Sequence, residues 1–175
     1  MRNIVLIIIA LQVLVVTSCQ QKESPKSQEQ APVGVIQSGE EIRLLQEAVK
    51  RDPENGDAWI RLGNILMDSS RFDEAIEAYQ KALAIDPKNV DVRVDLGSCY
   101  RKAGKPDKAV EEYRAALKLD PNHLNGHKNL AIVLAYDLHD RAQAVKEFEK
   151  ALALAPNAPD ADRLRQVIAE LKSAK

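Results

Sequence analysis

The chain of 175 residues is poor in the residues that build reactive or cross-linked sites. Two cysteines, Cys19 and Cys99, exclude a disulfide framework and a cysteine-rich zinc site. Neither charge is in excess. Lys plus Arg is 25 and Asp plus Glu is 26, a net charge of −1, which excludes a generally basic nucleic-acid binder. There is no phosphate loop: Gly104-Lys105 is followed by Pro106, where Ser or Thr would be needed. There is no nucleophile elbow, and the only threonine, Thr17, lies near the N-terminus. The acids are spread along the chain, so no catalytic pair stands out. The residues therefore predict neither an enzyme nor a cofactor site. What is present is ordinary for one folded domain with appendages: 45% hydrophobic and 29% charged residues.

Only one long apolar run occurs. Ile4 to Val16 is broken only by Gln12, and Arg2 precedes it. A helix needs about 20 apolar residues to span the hydrocarbon core, so this run suits the h-region of a secretory signal. Val16-Thr17-Ser18-Cys19 then resembles the lipobox of bacterial lipoproteins: an apolar residue, two small ones, and a cysteine. The resemblance implies cleavage after residue 18 and lipidation of Cys19. Several acyl chains on one residue give stable anchoring where one does not. Gln20, rather than Asp, follows the cysteine. By that resemblance the protein is expected in the bacterial envelope, at the outer membrane facing the periplasm. Residues 19–37, mostly Gln, Glu, Lys, Ser and Pro after the cysteine, are expected to be a disordered tether with a mean reach of roughly 20–25 Å.

The rest of the chain repeats. Leu62-Gly63, Leu96-Gly97 and Leu130-Ala131 are spaced by 34 residues. Ala75/Ala109, Tyr79/Tyr113, Ala82/Ala116 and Pro87/Pro121 keep the same spacing. Their third counterparts, Ala144, Phe148, Ala151 and Pro156, come 35 later, so the third unit carries one extra residue. The turn near Leu138-His139-Asp140 is its expected place. Apolar residues at three- and four-residue spacing make each unit two amphipathic helices. Gly63, Gly97, Ala75 and Ala109 allow those helices to approach closely. Asp-Pro at 86–87 and 120–121 ends each pair. Asn55 and Asn89 fall where the next helix needs an N-cap, and Pro106 suits a first helical position. Trp59, Tyr79, Tyr100, Tyr113 and Phe148 occupy repeat positions and read as core. Cys99 reads as a small buried hydrophobe.

Trp59-x2-Leu62-Gly63-x2-Leu66, then Ala75, Tyr79, Ala82 and Pro87, resemble the tetratricopeptide repeat signature. Arg93 and His127 depart from its tryptophan, and Ala131 from its glycine. The resemblance implies an all-α solenoid of three helix pairs with one flanking helix at each end, hence eight helices and no strand. The expected boundaries are a signal at 1–18, the tether at 19–37 and a half-repeat helix at 38–54. Repeats follow at 56–89, 90–123 and 124–158, and a capping helix at 159–175. It also implies that the first helix of each repeat lines a concave, partner-binding face. The matching positions are Asp57, Ile60, Asn64 and Met67; Asp91, Val94, Ser98 and Arg101; and Asn125, Lys128 and Ile132. Relatives that bind peptide carboxylates carry lysines and an arginine in slots held here by Ile60, Asn125 and Asn129, so a carboxylate clamp is not expected.

His123 and His127 stand one helical turn apart, a spacing that could hold a metal. The repeat register offers the other account, with His123 in the N-cap slot and His127 in the tryptophan slot. The sequence thus predicts a lipid-anchored adaptor that takes a helix or extended peptide of a protein partner in its groove, in the manner of lipoproteins that serve secretion or pilus assembly. The alternative is a self-associating structural protein of an envelope complex.

Overall fold

The computed structural model describes residues 33–173; the signal segment, the lipobox and Cys19 lie outside the described residues. Eight α-helices follow in order, with no strand among the described residues. They are α1 (Val33–Arg51), α2 (Gly56–Asp68), α3 (Phe72–Ile85) and α4 (Val90–Lys102). Then come α5 (Pro106–Leu119), α6 (Leu124–Ile132), α7 (Arg141–Leu154) and α8 (Ala161–Ser173). Helices α2/α3, α4/α5 and α6/α7 form pairs; α1 and α8 pack on the two ends. This is the expected solenoid of three pairs and two flanking helices. The first helix begins at Val33, inside the segment expected to be tether.

Local chemistry sets the helix ends. Asn55 Oδ1 accepts the Ala58 amide at 3.0 Å and Asn89 Oδ1 the Val92 amide at 3.1 Å. In the third repeat His123 does the same with a ring nitrogen: Nδ1 accepts the Gly126 amide at 3.0 Å. Pro106 opens α5, where its missing N–H costs nothing. The turns inside the pairs each use one left-handed residue, Ser70 (φ 59°), Gly104 (φ 72°) and His139 (φ 57°). Glycine is at home there, and the other two accept strain.

Close contact within a pair comes from a glycine against a ring. A Cβ on Gly63 would lie 2.6 Å from the Tyr79 ring, and one on Gly97 would lie 2.6 Å from Tyr113. Both tyrosines are buried. In the third pair Ala131 faces this space instead and Phe148 replaces the tyrosine, both again buried.

The departures from tryptophan preserve a single bond. Trp59 Nε1 donates to the Pro53 carbonyl at 2.8 Å. Arg93 donates through NH2 to the Pro87 carbonyl at 2.9 Å, and His127 through Nε2 to the Pro121 carbonyl at 2.9 Å. Arg165 of α8 extends the series with a 2.9 Å bond to the Pro156 carbonyl. Each carbonyl belongs to a chain end left open by the preceding helix, so the slot selects an N–H donor rather than an indole.

The extra residue of the third repeat is not in the turn. It is taken up within the helix, as a π turn over Val133–Asp137 that continues α6. The amide of Ser69 bonds to the Ile65 carbonyl, four residues back, whereas that of Leu138 reaches Val133, five back. His139 then takes the same left-handed conformation as Ser70 and Gly104, so the turn itself is unchanged. One residue inserted in a helix is what a π turn accommodates.

Candidate functional site

The face lined by α2, α4 and α6 holds the eleven residues expected to meet a partner. Asp57, Asn64, Asp91 and Asn125 are exposed, while Ile60, Met67, Ser98, Arg101, Lys128 and Ile132 are half-buried. Val94 corrects the expectation: it is 4% exposed and belongs to the core.

Several polar members are already committed to the fold. The Tyr79 hydroxyl donates to Asn64 Oδ1 at 2.7 Å. Ser98 Oγ donates to the Val94 carbonyl at 3.0 Å, which leaves the Tyr113 hydroxyl to donate to Ser98 at 3.1 Å. Ile132 stands at the matching place in the third repeat, where Phe148 has no hydroxyl to satisfy. Polar residues at this position thus follow the buried phenols.

The charged members tie one repeat to the next. Asp91 Oδ1 accepts from His123 Nε2 at 2.9 Å, whose Nδ1 is occupied by the Gly126 amide. Arg101 bridges to Asp137 on the π turn. Lys128 Nζ reaches Asp160 ahead of α8 at 2.7 Å and holds that carboxyl below the usual range. Between Ser98, Arg101, Lys102, Tyr113, Asn129 and Ile132 lies a small cleft of about 140 Å³. What remains open to a partner is an apolar strip of Ile60, Met67 and Ile132, with Asp57 and Asn125 at its edges.

Sequence reasoning missed Asp95. It sits half-buried on α4, one turn after Asp91, with no hydrogen-bond donor on its carboxyl among the described residues. Burial first, then the neighbouring Asp91, push its carboxyl up to about 6, against a smaller opposing effect of His123. Its signal in the sequence was an acid four residues after another acid on a helix with a buried face. Beneath it Cys99 is fully buried, and burial and Asp95 push its thiol up to about 12, against Lys102. That thiol is packing, as expected.

His123 and His127 do not form a metal pair, since each ring has both nitrogens engaged. His127 is 4% exposed; its Nε2 donates to the Pro121 carbonyl and its Nδ1 pairs with Glu147 Oε2 at 2.6 Å. Burial alone would raise the Glu147 carboxyl, but hydrogen bonds from Lys150 and His127 bring it below its ordinary range.

A family model described as the cytochrome c-type biogenesis protein H TPR domain matches residues 40–163. No curated protein matches the chain. Among solved structures, a crystal structure of MamA protein superposes with a TM-score of 0.71 at 22% identity, over 79% of this chain and 75% of that one. A second MamA crystal structure gives 0.69 at 21% identity, over 81% of this chain and 85% of that one. At this identity the likeness is one of fold.

Proposed function

Because the chain belongs to the TPR-domain family of cytochrome c-type biogenesis protein H, we propose that it is a membrane-anchored adaptor for a protein partner. Lipidated Cys19 fixes the chain to the envelope, and the face lined by α2, α4 and α6 holds the partner. One observation carries the reading: Asp91, Arg101 and Lys128 on that face are each paired with a residue further along the array, leaving Ile60, Met67 and Ile132 as a half-buried apolar strip. A strip of that kind suits the apolar side of a helix or an extended segment. Anchoring adds to the effect, since confinement at a surface raises the effective concentration of a weakly held partner. The family description favours assembly of cytochrome c-type proteins over the secretion or pilus setting suggested by the sequence alone.

Two experiments test the reading. Radiolabelled palmitate should label the wild-type protein in cells and not Cys19→Ala; equal labelling of both removes the anchor. Partners that co-purify with the wild type should be lost from Ile60→Asp/Met67→Asp, while its helical circular dichroism stays unchanged. Retention of all partners by the folded variant removes the face.

A further inference from the structure

The second helices of the array frame a groove of their own, away from the face just described. The same groove recurs at each repeat, floored by the first helix and flanked by the second helices on either side. The residue at the centre of its floor changes from one version to the next: Leu66, Tyr100 and Leu134 share that register position.

At the middle repeat the protein fills the groove with its own side chain. Tyr100 is 7% exposed there. Gln80 Nε2 donates to its hydroxyl at 2.9 Å, and Lys108 Nζ lies 5.5 Å above its ring. At the third repeat leucine replaces the tyrosine, His127 replaces the longer Arg93, and the groove opens to about 420 Å³. Its apolar floor is Leu117, Leu130 and Leu134, and its rim carries Arg114, Lys118 and Lys150. Lys150 is paired with Glu147, and Arg114 donates to Gln143 at 2.8 Å. Lys118 is exposed and has no acidic partner among the described residues. The first groove, of about 280 Å³, has Lys50 facing Glu74 and Glu77 on its rim and so lacks the excess of basic residues.

We propose that the groove between α5 and α7 receives an aromatic side chain from an acidic segment of a partner protein, in the place that Tyr100 fills one repeat earlier. The middle repeat shows which side chain this shape and depth accept: a ring with a cation above it and a polar group at its edge. Arg114 holds the register position of Gln80, so a guanidinium stands where the amide that meets the Tyr100 hydroxyl stands one repeat earlier; Gln143, at the position of Lys108, is uncharged, and the positive charge around the groove comes from Arg114, Lys118 and Lys150 instead. The basic rim selects acidic neighbours in the partner and works against basic ones. This surface is independent of the strip on α2, α4 and α6, and either could fail without the other.

The test uses the full chain in neutral detergent and a fluorescent peptide with one tyrosine between glutamates. Controls replace its tyrosine by alanine or its glutamates by lysines. Binding should saturate at one peptide per chain and weaken about tenfold or more with either control. Leu134→Tyr, which plugs the groove as Tyr100 does, should abolish binding. Because that variant could disturb packing, Arg114→Glu/Lys118→Glu on the exposed rim is the second arm, and should weaken binding about tenfold or more while leaving the melting temperature in place. Equal affinity for all three peptides, or full binding by the folded rim variant, overturns the proposal. So does a dimer, measured by sedimentation, that Leu134→Tyr dissolves in the absence of peptide binding, since a second copy would then be the occupant.

Discussion

His127 and Glu147 meet between α6 and α7 at 2.6 Å, while the other imidazole nitrogen lies 2.9 Å from the Pro121 carbonyl. Nε2 faces the Pro121 carbonyl, which can only accept, and Nδ1 faces a carboxylate that its neighbours hold ionised. The pair thus closes a chain end and locks the two helices of the third repeat at once. Replacing His127 with Ala leaves the carbonyl and the carboxylate without that partner, at a cost of about 2–4 kcal/mol. Chemical denaturation of the variant and the wild type measures this. A change below about 0.5 kcal/mol would show that the pair is incidental.

The same pair has a pH signature. The folded protein holds Glu147 below its ordinary value of 4.5, so its contribution to stability is complete above that value and is lost as pH falls through the lowered one. Glu147→Gln should therefore be less stable than the wild type near neutral pH, with the difference shrinking in acid. Thermal melts across this range check the sign.

Asp95 predicts the opposite. Its folded value of about 6 stands above the ordinary 3.8, so the folded state takes up a proton more readily than the unfolded one. That favours folding as pH falls from 6 towards 3.8 and is withdrawn above 6. Asp95→Asn should thus stabilise by roughly 1–2 kcal/mol at about pH 8, allowing for solvent screening, with the gain fading towards about pH 4. A constant difference at every pH would contradict the assignment.

Gly97 tests the close approach of α4 and α5. Gly97→Ala places a methyl 2.6 Å from the Tyr113 ring, at a cost of about 1–3 kcal/mol. Alanine elsewhere in a helix interior usually stabilises relative to glycine. A rise in melting temperature would therefore show that the ring moves aside freely.

The π turn makes a prediction about length. Tyr136 is 53% exposed on that turn. Deleting it should return α6 to the α-helical length of α2 and α4 and keep the third repeat folded, with stability changed by no more than about 1 kcal/mol. Helical circular dichroism together with denaturation reads this out. Loss of the cooperative transition would place the extra residue elsewhere.

Much of this was legible because each structural role recurs at a fixed spacing. Asn55/Asn89, Gly63/Gly97, Tyr79/Tyr113 and Pro87/Pro121 each repeat at 34 residues, and each has a local physical reason. The position of the extra residue was not legible, since a longer turn and a π turn add the same count. Arg93 and His127 looked like losses of a tryptophan, because the shared property, an N–H aimed at a carbonyl, appears only once that carbonyl is in place. Val94 was mistaken for surface because the register gives a helix face but not how deeply stacking buries it. The ties of Asp91, Arg101 and Lys128 join residues more than 30 apart, so they depend on how repeats stack rather than on any one helix.

The most direct test of the adaptor reading is site-specific photocrosslinking in cells. A crosslinking residue is placed at Ile60 on the apolar strip, and in a separate chain at exposed Gln166 on α8. The account predicts a discrete protein adduct from position 60 and none of that size from position 166. An adduct from position 166 with nothing at position 60 would contradict it.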